Sequence, residues 1–212
     1  MDKQFEIKVP RYSTGLRIKH YKALTDVGNV IDGSLDSRAA FIAEFGGVPL
    51  YYVRLLTKKD VDKIYTQVVK CFGGMKVGDE PAQEITINGK EYELIDPKTV
   101  GTGWHIDLST CNIDTDPVRL ACMYYFPKGE RYGEVDENEN LKHPINERYE
   151  DFQEHMNLKT FIDANTFFLQ WSLVSTKKYM ENEIVKEKTI QMLKRIPLLG
   201  RRLSTSSVKN LT

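Results

Sequence analysis

The chain lacks most features that place a protein in a class at sight. Its three cysteines, Cys71, Cys111 and Cys122, are odd in number and form no C-x-x-C pair, which argues against a disulfide framework or a structural zinc site. No run approaches the ~18 apolar residues of a spanning helix, and Met1-Asp2-Lys3-Gln4-Phe5-Glu6 is polar where a secretory signal is apolar. Net charge is absent too: 30 Lys+Arg stand against 30 Asp+Glu. The whole molecule therefore has no electrostatic bias toward nucleic acid or anionic lipid, and such a partner would need a local patch. No glycine-rich loop ends in Lys-Ser or Lys-Thr, which removes the P-loop, and no nucleophile elbow is present. The expectation is a cytoplasmic protein without membrane contact or cofactor.

What the sequence does have is local structure. The 212 residues suffice for one large domain that buries on the order of 70% of its unfolded surface without staples. The clearest stretch is Glu84 to Leu94, centred on Asn88-Gly89, the dipeptide that a type I′ hairpin turn demands because both positions take φ > 0. That turn pairs Ile87 with Lys90 and Ile85 with Tyr92. It sets Ile85, Ile87, Tyr92 and Leu94 on one face, Thr86, Glu91 and Glu93 on the other.

Alternation predicts further strands at residues 4–9 and 16–21, and Tyr51, Tyr52 and Val53 suggest another over residues 48–55. A short helix over residues 37–45 should close at Gly46-Gly47. Thr57 caps a helix whose Val61, Ile64, Tyr65, Val68 and Phe72 recur at three- and four-residue steps. Asp116-Pro117 starts another, expected to reach about residue 126. Beyond Pro144 the pattern is helical: Ile145, Tyr149 and Phe152 line one face, and a longer segment from Leu158 runs to about residue 196. The predicted class is α+β in a single domain over residues 1–196, with antiparallel strands mainly in 1–108 and helices mainly in 116–196. Residues 197–212 form a basic, hydroxyl-rich tail in which Arg201, Arg202 and Leu203 could order on a partner.

Two stretches invite a metal reading. The acidic residues 134–139 lack the spacing and terminal Glu of a calcium loop. His105-Ile106-Asp107 is a His-x-Asp triplet, the beginning of a non-haem iron triad, with His155 or His143 as a second histidine. On a strand, His105 and Asp107 would share a face. Such oxygenases need strands downstream, however, and the helical pattern after residue 144 denies them. The metal-dependent oxygenase is kept as the alternative, using His105, Asp107 and His155. A nucleic-acid accessory role is a further alternative, although no basic cluster surrounds Tyr51-Tyr52 or Tyr124-Tyr125.

The hairpin with its "NGK-x-Y" turn, the following Trp104-His105-Ile106-Asp107-Leu108, Asp116-Pro117, the break at Pro127-Lys128-Gly129 and the Phe167-Phe168 segment together resemble proteins encoded in the structural and tail gene modules of tailed bacteriophages. The resemblance covers about residues 84–175. It implies a non-enzymatic tail or baseplate component, or a tail assembly chaperone. Such a protein would work in the host cytoplasm or the virion through contacts with other phage structural proteins or with copies of itself. No catalytic or cofactor-binding residue carries over.

Overall fold

The structure, a computed structural model, describes residues 6–27, 33–76, 78 and 80–194, with side chains described among these to residue 175, apart from 26 and 27, and at 177. By contacts the chain falls into two units, Met1–Phe167 and Phe168–Thr212. The class is α+β, with helices around a three-stranded antiparallel sheet in the order β1-β2-β3.

The first unit begins with helical turns at Ser13–Gly15, Ile18–His20 and Ala23–Val27, then helices α1 (Leu35–Gly46), α2 (Leu50–Arg54) and α3 (Lys58–Gly73). Ser34 caps α1 by accepting from Ser37 N at 3.2 Å, and Gly47 closes it at φ 61°, a left-handed conformation that glycine adopts without a Cβ penalty. Thr57 caps α3 by accepting from Asp60 N, as the sequence indicated. Val61, Val68 and Cys71 of α3 are buried. Phe41 and Phe45 of α1 meet Phe72 edge-on, with ring centroids 6.3 and 6.0 Å apart.

Three expected strands are absent from this region. Residues 6–9 carry no regular structure, and residues 4 and 5 lie outside the described residues. Over residues 16–21 the alternation is real, since Leu16, Ile18 and His20 are all buried, but it produces a single antiparallel bridge, Arg17 with Asn157. His20 then bends the chain, its Nδ1 accepting from Arg17 N at 2.9 Å while its own N–H donates to Arg17 O. Residues 50–54 are helical: Pro49 O accepts from Tyr52 N at 3.0 Å and Val53 alone is buried. β propensity there is outweighed because no strand is available to pair.

The hairpin matches its expected register, with β1 (Glu84–Ile87) and β2 (Lys90–Leu94) pairing Ile87 with Lys90 and Ile85 with Tyr92. Asn88 and Gly89 have φ of 49° and 77°. Ile87 and Tyr92 are buried, Ile85 and Leu94 half-buried, Thr86 and Glu91 exposed. Helix α4 spans Thr102–Ser109 and α5 spans Pro117–Tyr124, the latter capped by Asp116 accepting from Arg119 N. Helix α5 stops short of residue 126 because Tyr125–Pro127 forms β3, the third strand, with Leu94 opposite Tyr125. A residue before proline is driven to extended backbone, which sets Phe126 in a strand. Helix α6 (Ile145–His155) packs on this sheet through Phe152, whose ring stands edge-on to Tyr92 at 5.0 Å. Trp104 of α4 is buried and donates from Nε1 to Met123 O of α5 at 2.8 Å, satisfying one of the carbonyls a helix end leaves open. Each large apolar side chain buried in this way contributes roughly 1.5–3 kcal/mol.

Helix α7 spans Leu158–Lys194; its residues to Phe167 belong to the first unit and the rest to the second. In the first unit Phe161 packs edge-on to Tyr21 and Asn165 accepts from the Tyr124 hydroxyl at 2.8 Å. The second unit is described only as this helix. Residues 195–212, including Arg201, Arg202 and Leu203, lie outside the described residues.

Candidate functional site

The His-x-Asp triplet lies on α4, and there the expected shared face is lost. Successive helical residues are separated by about 100°, so residues two apart point to nearly opposite sides. Asp107 turns inward, its Oδ2 accepting from the Tyr132 hydroxyl at 2.5 Å. His105 sits beside the Trp104 ring. His155 is the exposed last residue of α6. Among the described residues no three His, Cys, Asp or Glu side chains gather as a metal-holding group. The helix at residues 102–109 thus replaces the strand on which the iron alternative depended.

A different constellation forms between α4, α5, β2, β3 and the start of α6. Two chambers of about 340 and 270 Å³ adjoin there and share His143 and Pro144 in their walls. The larger is lined by Asp107, Arg119, Phe126, Tyr132 and Asn146, the smaller by Lys90, Tyr92, Pro127, Glu147 and Arg148. Pro144 occupies the N-cap of α6 and makes no side-chain cap bond; Glu147 N donates to Pro144 O at 3.2 Å, and Ile145 and Asn146 of the first turn border the larger chamber.

Arg148 is the unusual member. It is 4% exposed and belongs to the apolar face of α6, one position from Tyr149 and one turn from Ile145 and Phe152. Its Nη2 donates to Cys122 O at 2.9 Å, and its guanidinium lies 4.5 Å from the centroid of the Phe126 ring. Nε and Nη1 are buried and meet no acceptor, although arginine carries five N–H donors. Burial lowers its pKa, opposed by Cys122, Tyr92 and Tyr132. No carboxylate pairs with it among the described residues. An isolated buried cation costs several kcal/mol, and such sites are ordinarily completed by an anion.

Burial keeps the proton on the thiol and phenols nearest Arg148. Burial pushes the Cys122 thiol up to about 12, far from the thiolate a nucleophile needs. Burial raises Tyr92 and Tyr132, the latter also through its bond to Asp107. His143 faces Glu130 at 3.5 Å and stands edge-on to Phe126. The cleft therefore presents the buried Arg148 beside neutral hydroxyls and apolar walls, with Asp107, Glu134, Glu91 and Glu147 also in its lining, an arrangement suited to binding.

Sequence reasoning passed over Arg148. Its signal was a lone arginine at the fourth position of an apolar stripe formed by Ile145, Tyr149 and Phe152. No family model matches the chain, and neither a curated protein nor a solved structure matches it.

Proposed function

We propose that the chain acts without catalysis in the assembly of a phage virion, as a tail or baseplate component or a tail assembly chaperone, through contacts with other structural proteins. The observation that carries this reading is the surface of α7 in the second unit. Leu169, Leu173 and Val174 are 57%, 72% and 67% exposed, and Leu169 and Leu173 stand one turn apart on the same helical face. Large apolar side chains grouped on an exposed helix suit insertion into a partner's groove. The likeness of residues 84–175 to phage tail-module proteins supplies the class of partner. No helix among the described residues is long and apolar enough to cross a membrane, and the balanced charge gives no pull toward nucleic acid.

The test is recovery of virion proteins from infected cells by the tagged full chain, comparing the native sequence with a Leu169→Glu, Leu173→Glu double variant. The native chain is expected to recover tail or baseplate proteins, identified by mass spectrometry. The variant should lose about tenfold or more of that recovery, as for removal of central contacts in an interface, with unchanged circular dichroism. Equal recovery by both, or recovery without any virion protein, overturns the proposal.

A further inference from the structure

The cleft over Arg148 carries an inference independent of the assembly reading. We propose that it binds a ligand through a single carboxylate, with Arg148 as the pairing cation and with Phe126, Leu141, Pro144 and Tyr92 as the walls that receive the ligand's apolar body.

Three observations converge. Arg148 is buried, lines the smaller chamber, and has Nε and Nη1 without acceptors. The first turn of α6, Ile145 and Asn146 included, borders the larger chamber and lacks a side-chain cap, so backbone N–H groups add to the same electropositive wall. Arg119 lines that chamber as well, its side chain lying by the Cys111 thiol. One negative charge inserted at the junction of the chambers would meet all three.

The rim decides the kind of anion. Asp107, Glu91, Glu134 and Glu147 border the two chambers, Asp107 being held by the Tyr132 hydroxyl. Glu91 and Glu134 are offset by Lys128 at 3.6 Å and Lys142 at 3.3 Å, whereas Glu147 has no cationic partner among the described ion pairs. This rim repels a multiply charged phosphate more strongly than a monoanion, whose apolar body also gains from the walls. A planar carboxylate also matches the in-plane donors of a guanidinium set over an aromatic ring. The carboxylate could come from the C-terminus of a peptide or from a free small acid, and the experiment separates these sources.

The measurement is a titration of the full chain followed by ¹⁵N–¹H correlation spectra at constant ionic strength, with sodium phenylacetate, phenylacetamide and inorganic phosphate as probes. Phenylacetate is expected to shift the Arg148 Nε–H signal and the Ile145 and Asn146 amides along a saturable curve. Phenylacetamide should leave them in place, and phosphate should require about tenfold or more higher concentration, the worth of one well-formed charged contact. An N-acetylated dipeptide ending in Phe with a free carboxyl then identifies the source: saturation at lower concentration than phenylacetate assigns a peptide terminus, and saturation at equal or higher concentration assigns a small acid. Arg148→Met should abolish the response. Should that variant fail to fold, the three-probe comparison on the native chain still decides. Equal shifts from phenylacetamide, equal or tighter phosphate binding, or no saturable shift at tens of millimolar probe would each overturn the proposal.

Discussion

Replacing Arg148 by methionine should leave the fold as stable as the native chain, or more stable. Arg148 donates to Cys122 O and covers Phe126. Losing the charged hydrogen bond removes about 1.5–3 kcal/mol, and losing the cation–π contact about 0.5–2 kcal/mol. Against this stands the penalty of holding an unpaired cation out of water, several kcal/mol, which includes the Nε and Nη1 groups that meet no acceptor. Breaking a buried ion pair is usually damaging because the partner charge stays behind. Here no partner charge is found among the described residues, and methionine fills a similar volume without a void. The terms leave a net change between roughly zero and 2 kcal/mol in favour of the variant, a midpoint higher by up to about 8 °C at 2–4 °C per kcal/mol for a chain of this size. Urea unfolding followed by circular dichroism, with the slope checked for constancy, measures it. A loss exceeding about 1 kcal/mol would refute the reasoning, because it would mean that the guanidinium's donors are satisfied inside the folded protein and that the site needs no anion.

Two other perturbations test separate parts of the first unit. Trp104→Phe removes the Nε1 donor from Met123 O and leaves a gap in a fully buried position. Chemical unfolding should register a loss of about 2–4 kcal/mol, and a loss under 1 kcal/mol would show that the α5 carbonyl finds water. His20 stacks on Phe45 at 4.4 Å, and burial, aided by Lys19 and Arg17, lowers its pKa from 6.5 to about 4. The unfolded chain then binds a proton that the folded chain refuses, so stability is complete above pH 6.5 and falls as pH drops toward 4. Urea midpoints at pH 7 and pH 5 should show that fall, and His20→Gln should flatten it; an unchanged slope in the variant would assign the effect to other groups.

Local signals were legible wherever the chain solves its own geometry. Asn88-Gly89 dictates a turn regardless of surroundings, so the β1–β2 register followed directly. The Thr57 cap and the stripe through Val61 and Val68 likewise needed no outside information. Errors fell where a distant partner decides. Leu16 and Ile18 alternate as a strand does, yet their partner is a bridge to residues 156–158 rather than a neighbouring strand. Tyr51-Tyr52-Val53 has strand propensity but no sheet to join. At residues 102–109 the His-x-Asp spacing was weighed as a strand, whereas Gly101 is an N-cap and the burial of Trp104 holds a helix. Arg148 shows the reverse limit: its position was visible, but its missing acceptors can be seen only when the neighbours are in place.

The bridge near Arg17 also bears on the order in which the protein can complete itself. Ile18 N donates to Met156 O and Leu158 N donates to Leu16 O, each at 3.1 Å, while Asn157 Nδ2 reaches Thr14 O across 143 residues of sequence. Closing a chain segment of that length costs about 4 kcal/mol in entropy, against about 1 for the hairpin. On a ribosome the α1–α3 cluster and the hairpin have all their residues early, but Leu16 and Ile18 lack these backbone partners until residue 158 has emerged. A chain halted before that point would hold its helices and its turn, with an apolar strip near its beginning still waiting for the segment that seals it.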